Sequence, residues 1–276
     1  MIELLGKVVR KPQGAIGLGL LLVLAAVCLL GPWFAPYGPE KMDFLGRFRA
    51  PGWQNWFGAD QFGRDVLSRL LSGARATVPM ALAATLAGST IGAITGVASA
   101  YLGGRADEFI MRTNDAVMAI PGLLMALLLV STLGNGAGNA VIAIAIAFAP
   151  GMARVTRSVA LAVRNQDFVK AAVARGESAS QIIFREMLPN VMGPIVIEAT
   201  IRVSFAVMLF ATLSFLGLGA QPPASEWGLM VADARQYMHR APWILIAPSA
   251  AIALSAIAFN LVGDALRDVL NPRDDR

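Results

Sequence analysis

The stretch FVKAAVARGESASQIIFREMLPN, residues Phe168–Asn190, is charged and helix-like, yet long apolar runs flank it on both sides. Its first part, Asp167–Arg175, is rich in Ala and Val and is typical of a short helix that Asp167 caps. Gly176 follows, and glycine readily adopts the left-handed conformation that ends many helices. The pattern therefore predicts a short helix that ends in a tight turn.

A second short helix is predicted directly after this turn. Ser178 and Gln181 have the Ser-x-x-Gln spacing of a capping box, and an apolar run follows them. We expect this helix to run to about Met187, with Pro189 restarting the chain toward the next apolar run. The segment 165–190 thus predicts a helix–turn–helix hairpin with an Ala-rich surface and exposed apolar side chains.

The runs around the hairpin are long enough for membrane helices. The chain has 276 residues, of which 56% are hydrophobic and only 15% are charged, whereas soluble domains have about 25% charged residues. Five runs contain no Asp, Glu, Lys or Arg: Pro12–Pro39, Ala76–Gly104, Ala116–Ala153, Val203–Ser225 and Ala241–Gly263. A run of about 18 apolar residues suffices for one crossing.

The run Ala116–Ala153 is too long for a single crossing, and the turn-forming segment Gly134–Gly138 divides it. The sequence therefore predicts an all-α polytopic membrane protein with six transmembrane helices. The expected spans are about 13–33, 77–101, 115–133, 140–157, 192–219 and 242–263.

The charge distribution predicts the orientation of these spans. With the N-terminus in the cytoplasm, the inner segments carry 14 of the 23 Lys and Arg residues and the outer loops carry 8. This bias follows the positive-inside rule and predicts that both termini are cytoplasmic. It also explains the net charge of +5 without a nucleic-acid partner. The expected organisation is a cytoplasmic N-terminus 1–12, a first span 13–33, an outer loop 34–76, a five-helix core 77–264 that includes the hairpin, and a cytoplasmic tail 265–276.

The outer loop contains a helical pattern at Gly63–Arg75. Its apolar and polar residues fall on opposite helix faces. The apolar face has Val66, Leu67, Leu70, Leu71 and Ala74, and the polar face has Arg64, Asp65, Ser68, Arg69 and Ser72. Two interpretations remain open: an amphipathic helix that lies at the outer membrane interface, or a solvated helix packed on the spans.

A stripe of small residues marks the second span. Ala84, Gly88, Gly92, Gly96 and Ala100 recur at every fourth position and form one smooth helix face. In lipid, small residues allow close approach of helix backbones. The stripe predicts a packing surface, either toward a helix of the same chain or toward a partner subunit.

One ionisable pair lies within the fifth span. Glu198 and Arg202 are four residues apart in the order that favours an ion pair on a helix. Charged residues in lipid usually face a bundle interior or water. They are candidates for the inner mouth of a transport pathway, and the alternative is a mutually neutralised pair near the inner leaflet.

The sequence has no phosphate-binding Gly-x-x-x-x-Gly-Lys-Ser/Thr motif, no His-Glu-x-x-His and no Gly-x-Ser-x-Gly. Its single cysteine, Cys28, and single histidine, His239, cannot form a disulfide or a protein-only metal site. We therefore expect no catalytic residue, no metal site and no cofactor bound by this chain.

The hairpin resembles the cytoplasmic loop of ABC-importer permeases. That family pattern is Glu-Ala-Ala, three residues, Gly, nine residues, an aliphatic residue, one residue and Leu-Pro. The matching positions here are Lys170, Ala171, Ala172, Gly176, Glu186, Leu188 and Pro189. Lys170 replaces the family's Glu and Glu186 replaces its aliphatic residue, while the Ala-Ala, Gly and Leu-Pro framework is intact.

Three further segments extend the resemblance over most of the chain. FGADQFGRDVLSRLLSGAR (Phe57–Arg75), SFLGLGAQPPASEWG (Ser214–Gly228) and FNLVGDALRDVLNPR (Phe259–Arg273) are similar to the second permease subunit of dipeptide, oligopeptide and nickel importers. The resemblance implies a type I ABC importer permease fold in a bacterial inner membrane.

The resemblance also implies partners. These are a homologous permease that forms a heterodimer, two cytoplasmic ATPase subunits that use ATP and Mg, and a substrate-binding protein at the outer face. The seven pattern residues of the hairpin would contact an ATPase. Candidates for outer-face docking are Gly63, Arg64, Asp65, Trp227 and Gly228.

The implied cargo is a short peptide, with nickel, a metallophore or another small solute as alternatives. An ion-coupled secondary transporter is an alternative of a different class. Such transporters place ion-binding groups near the membrane midplane, whereas Asp115, Glu198 and Asp264 fall toward the inner ends of predicted spans. A membrane-embedded enzyme would need a cluster of catalytic groups, which the sequence does not offer.

Overall fold

The structure is a computed structural model that describes residues 2–270, with side chains from residue 6 onward. Its α-helices in chain order are α1 Ile2–Arg10, α2 Pro12–Phe34, α3 Val66–Leu102, α4 Gly104–Met118, α5 Gly122–Leu133, α6 Ala137–Arg164, α7 Asp167–Ala174, α8 Ala179–Gln181, α9 Leu188–Asn190, α10 Met192–Phe215, α11 Trp227–Ala234 and α12 Pro242–Leu270. A π-helical segment, Ile182–Met187, joins α8 to α9. Short 3-10 turns lie at Phe44–Gly46 and Arg235–Tyr237. The prediction of an all-helical membrane protein is confirmed.

Five helices of the described chain, α2, α3, α6, α10 and α12, are long and apolar enough to cross a membrane. The sixth predicted crossing is a bent pair, because α4 and α5 meet at 88°. The span expected at 115–133 is therefore wrong at its start. Pro121 sits at the N-cap of α5, where a residue without an N–H is tolerated, and the new helix starts at Gly122.

The stripe of small residues on α3 packs against α6 of the same chain, which settles the alternative left open by the sequence. A Cβ atom added at Gly92 would lie 2.4 Å from the Ala149 carbonyl oxygen, and one added at Gly96 would lie 2.5 Å from that of Ala153. The two backbones thus approach as closely as dispersion-driven packing in lipid requires.

Helix α10 forms the centre of the bundle. Its buried side chains Val207, Phe210 and Leu213 share one apolar core with α3, α5 and α6. Helix α2 is peripheral and packs on the bundle through glycines. An added Cβ at Gly17 would approach Leu261 and Val262 of α12 within 2.9 Å.

The separate interfacial helix predicted at Gly63–Arg75 is wrong. Helix α3 begins at Val66 and continues without interruption to Leu102, so the pattern is the outer end of a 37-residue membrane helix. Asp65 is its N-cap, and the carboxylate accepts a hydrogen bond of 2.8 Å from the Ser68 N–H. The alternative of a solvated polar face is also wrong, since Arg69 is only 2% exposed.

A buried ionic cluster holds the outer segment against the bundle. The Asp60 carboxylate lies 2.6 Å from the Arg64 guanidinium and 2.8 Å from that of Arg69. Asp233 of α11 lies 3.6 Å from Arg64 and 3.8 Å from Arg69. Two aspartates therefore balance two arginines, and the polar residues expected in solvent instead join α3 to α11.

Candidate coupling hairpin and transport site

The first arm of the hairpin, α7, is fixed to the membrane helices through two side chains. Val169 and Ala172 are buried in an apolar cluster that includes Val97 and Ala100 of α3 and Ala160 of α6. Residues three apart lie on one side of a helix, so this side of α7 faces the bundle. The hairpin is packed against the spans and does not hang as a free loop.

The opposite side of α7 is open. Asp167, Ala171 and Ala174 are exposed, and their spacing places them on one face. Lys170, at the edge of this face, forms an ion pair of 3.0 Å with Asp167. The helix thus presents a smooth, small-residue surface away from the bundle.

The turn has the hydrogen bonds of a Schellman motif. The Gly176 N–H donates to the Val173 carbonyl at 3.0 Å, and the Glu177 N–H donates to the Ala172 carbonyl at 3.2 Å. Gly176 has φ +76°, in the left-handed region where a Cβ is unfavourable. The predicted helix stop is confirmed, although α7 ends at Ala174 and its N-cap is Gln166 rather than Asp167.

The second arm starts at the predicted capping box. Ser178 accepts a hydrogen bond from the Gln181 N–H, and the Gln181 side chain accepts one of 2.9 Å from the Ser178 N–H. The second arm does not end near Met187 as predicted, and Pro189 lies in the first turn of the next helical segment, α9. Leu188–Asn190 is helical, and proline is tolerated in a first helical turn because its missing N–H has no intrahelical partner there.

Ion pairs of Arg175 join the two arms of the hairpin across the turn. Arg175 pairs with Glu177 at 2.6 Å and lies 3.9 Å from Glu186. Glu186, which departs from the family pattern, therefore contacts the hairpin itself. Ion pairs of this exposure contribute at most about 1 kcal/mol each.

The predicted coupling residues divide into two groups. Lys170, Ala171, Gly176 and Pro189 are exposed, and Glu186 and Leu188 are half-buried. Ala172 is 0% exposed, so a direct contact of this residue with a partner is contradicted; it instead fixes α7 to the bundle. The expectation of exposed apolar side chains holds for Phe168, Val173 and Phe184 but not for the buried Ile182, Ile183 and Met187. The sequence analysis did not include Asp167 and Ala174 among the residues of the exposed α7 face. Their helical spacing from Ala171 would have placed them there.

The second candidate site surrounds Arg202. Its guanidinium lies 2.8 Å from the Glu198 carboxylate and stands 5.7 Å from the ring centroid of Phe148. It also borders a cavity of about 320 Å³ on the open side of α10. The cavity is lined by Gly122, Leu123, Phe148, Arg202, Phe205, Met208, Leu209 and Thr212. The two charges thus neutralise each other, and Arg202 also lines an apolar cavity.

A second cavity of about 380 Å³ shares Met208 and Thr212 with the first. It continues along α10 to Phe215 and reaches Gly228 and Val231 of α11. The two cavities form one trough along α10, mostly apolar, with Arg202 near its inner end and α11 near its outer end.

The five residues expected to dock a partner at the outer face are buried within the chain. Gly63 and Gly228 meet backbone atoms closely, since added Cβ atoms would lie 1.8 Å from the Asp43 oxygen and 2.2 Å from the Ala211 oxygen. The Trp227 indole N–H donates to the Leu70 carbonyl at 2.9 Å, while Arg64 and Asp65 belong to the polar contacts described above. This prediction of a docking surface is wrong: these residues build the outer segment because they satisfy each other's polar and steric requirements.

Comparison with known proteins assigns the family. Residues 88–275 match the family described as the binding-protein-dependent transport system inner membrane component. Residues 7–51 match the N-terminal TM domain of oligopeptide transport permease C. The chain belongs to the binding-protein-dependent permease family. It is a membrane permease component of an ABC importer, which confirms the prediction made from the hairpin over those of a secondary transporter and a membrane enzyme.

Several relatives match this permease over most of its length. A putative peptide transport system permease of Brucella suis is 40% identical over 97% of this chain and 90% of its own length. The di/tripeptide transport system permease DppC of Pseudomonas aeruginosa is 40% identical over 95% and 88%. The glutathione transport system permease GsiD of Escherichia coli is 40% identical over 91% and 84%.

The fold of the permease is also found in a solved structure. The inward-facing MetNI methionine ABC transporter matches with a TM-score of 0.57 at 19% identity, over 73% of this chain and 96% of that chain. This similarity concerns the fold and confirms the predicted type I ABC importer architecture.

Proposed function

We propose that this permease carries short peptides inward across a bacterial inner membrane, driven by ATP that separate subunits hydrolyse with Mg. The hairpin Asp167–Asn190 is the docking element for one of two cytoplasmic ATPase subunits. The observation that carries this proposal is the geometry of α7, which buries one side in the bundle and presents Ala171 and Ala174 outward.

The same geometry supports a lever mechanism. The chain enters the hairpin from α6 and leaves it into α10, and the buried Ala172 joins it to both α3 and α6. When ATP binding draws the ATPases together, a packed hairpin moves as a rigid body and tilts these helices. That motion switches the pathway between inward- and outward-facing states, as in other rigid-body transitions.

The translocation pathway is proposed to lie between this permease and a homologous partner. The trough along α10 is open at the surface of this chain, where its lining residues Phe205 and Met208 are about half exposed, so a second permease would cover it. Its apolar lining suits peptide side chains of varied shape, and Arg202 supplies a cation near its inner end. Selectivity among cargos then resides mainly in the substrate-binding protein.

Peptide cargo is favoured because relatives of nearly full length are named for peptide, di/tripeptide and glutathione transport. Nickel or another solute remains the alternative cargo. The Lys and Arg bias supports cytoplasmic termini and a cytoplasmic hairpin. The outer segment and α11 then face the substrate-binding protein.

The test is uptake by proteoliposomes that contain the complete complex with its binding protein. Labelled di- and tripeptides should enter only with ATP and should still enter after proton and sodium gradients are collapsed. Uptake of nickel in the absence of peptide uptake would contradict the cargo proposal. Gradient-driven uptake without ATP would contradict the mechanism.

A further inference from the structure

A cleft lies beside the contact between the hairpin and the ends of two membrane helices. It has a volume of about 450 Å³ and lies between α7 and the C-terminal ends of α3 and α6. Its lining combines two cations with a phenol and apolar side chains. The lining residues are Tyr101, Leu102, Arg164, Val169, Lys170 and Val173.

Arg164 brings an unpaired charge to this cleft. Within the part of the chain that the structure describes, its guanidinium has no hydrogen bond and no ion pair. The nearest acidic group on α4, Asp107, is already engaged by Arg157, whose guanidinium donates two hydrogen bonds of 2.6 and 2.5 Å. Arg164 instead lies over Gly103, where an added Cβ would meet its Nη1 at 2.8 Å.

Lys170 brings the second cation from the hairpin side. Its partner Asp167 is fully exposed, and the pair is 3.0 Å apart, so water screens their attraction strongly. Tyr101, whose side chain carries a phenolic hydroxyl group, lines the same cleft. Together, a guanidinium, an ammonium and a hydroxyl offer donors to a singly charged phosphate group.

The apolar part of the cleft continues along the membrane helix. Leu102 and Ile91 are each about half exposed on α3, and they lie about three turns apart on the same helix face. A ligand of this cleft therefore meets cations at the membrane boundary and an apolar track beside them. Basic pockets between transmembrane helices on the cytoplasmic side suit anionic lipid headgroups.

We propose that this cleft binds the phosphate headgroup of an anionic phospholipid of the inner leaflet, with an acyl chain along Leu102. The proposal rests on the proposed function for the cytoplasmic position of the hairpin. Because Arg164 belongs to a span and Lys170 to the hairpin, one headgroup bridges the two parts that must move together during coupling.

The test measures lipid retention by the complete complex in native mass spectrometry, after exchange into detergent with phosphatidylglycerol or phosphatidylcholine. Phosphatidylglycerol should be retained in preference. Arg164→Gln should weaken its binding about fivefold, the effect of one basic residue at an anionic surface. Arg164→Lys, which keeps the charge, should retain it. The matched control is Arg112→Gln on α4, whose side chain is 78% exposed and lies outside the cleft.

Equal retention in Arg164→Gln, or loss in Arg164→Lys, would overturn the proposal. Binding of inorganic phosphate without lipid would replace the lipid by a soluble anion and would also overturn it. Crosslinking of Ala171→Cys to the ATPase distinguishes failure of the lipid site from failure of the proposed ATPase docking. A crosslink without Arg164-dependent lipid refutes only the lipid site, whereas no crosslink in any lipid refutes the proposed docking.

Discussion

Ala171 and Ala172 are neighbours in the sequence and lie on opposite sides of α7. Ala171 faces outward, and Ala172 is buried among residues of α3 and α6. The Ala172 methyl group therefore attaches the hairpin to the bundle, while the Ala171 methyl group lies in the surface proposed to dock an ATPase.

Enlarging each alanine should give different failures. Ala171→Leu should leave the permease folded, weaken its affinity for the ATPase about tenfold, the effect of about 1.4 kcal/mol of lost docking energy, and lower ATP-driven peptide uptake. Ala172→Leu should overpack the cluster and destabilise the hairpin by about 1–3 kcal/mol. Uptake and ATPase rates in proteoliposomes, with thermal melting of the solubilised complex, distinguish them. Equal melting temperatures for both variants would contradict the assignment.

Gly176 is constrained by its backbone and not by its neighbours. Nothing lies within 4 Å of an added Cβ, but its φ is +76°. Gly176→Val should destabilise the turn by about 1–2 kcal/mol, and Gly176→Asn should cost less because Asn tolerates this conformation. Protection of hairpin amides in hydrogen exchange measures the effect. A Val variant as protected as the Asn variant would argue against a left-handed turn.

Glu226 links the stability of the outer segment to pH. Its carboxylate caps α11 by accepting a hydrogen bond of 2.8 Å from the Leu229 N–H, and it also accepts one of 3.0 Å from the Thr77 hydroxyl. Burial raises the pKa of Glu226 despite these donors. The folded protein therefore binds this proton more tightly than the unfolded chain does.

A raised folded-state pKa of an acid makes stability fall as pH rises. The contribution is complete below the ordinary glutamate pKa of about 4.3 and is lost as pH rises through the folded-state value. Glu226→Gln should flatten the fall in melting temperature that begins as pH rises above the ordinary glutamate pKa. Some slope should remain, because burial also raises the pKa of Asp233. An unchanged slope in the variant would refute this role.

At the scale of elements, the contact between α3 and α6 depends on glycine. Gly92→Leu should prevent the two helices from packing, because even a Cβ atom would lie 2.4 Å from a backbone oxygen. We expect little folded permease in the membrane fraction, judged by size-exclusion chromatography after solubilisation. The control is Gly19→Leu in α2, where nothing lies within 4 Å of an added Cβ. Normal recovery of both variants would contradict the packing.

The sequence predicted correctly those structural features that depend only on interactions between neighbouring residues. The turn at Gly176 and the Ser178 capping box were found because a few neighbouring residues form their hydrogen bonds. The start of α3 at Val66 was missed because residues distant in the sequence bury the polar face of its first turns. Arg64 and Arg69 look solvated in sequence, and only the fold brings Asp60 and Asp233 to them.

The hydropathy pattern also did not predict the break between α4 and α5. Composition placed a crossing at 115–133, but α5 has 12 residues and spans only about 18 Å. The hydrocarbon core is about 30 Å thick. None of the residues of α4 is buried within the chain. Instead, Arg157 of α6 holds α4 by hydrogen bonds to Asp107, a contact between distant residues that hydropathy does not encode.

At the scale of the whole molecule, the hairpin and the trough lie on one connected body. α10 begins just after the hairpin and contributes side chains to the lining of both cavities, from Arg202 to Phe215. A displacement of the hairpin must therefore move the wall of the trough. Under the proposed function, this connection would let a permease without a nucleotide motif respond to ATP hydrolysed by separate subunits.

The most direct measurement is a crosslink from the outward face of the hairpin. Cys28, the chain's single cysteine, is first replaced by Ala, and Ala171→Cys is then introduced into the complete complex. We predict a crosslink to an ATPase subunit whose yield changes between ATP-bound and nucleotide-free states. A matched probe at Arg112→Cys should give none. No crosslink from residue 171 in either state, or labelling of that cysteine from the outer side of intact cells, would contradict the account.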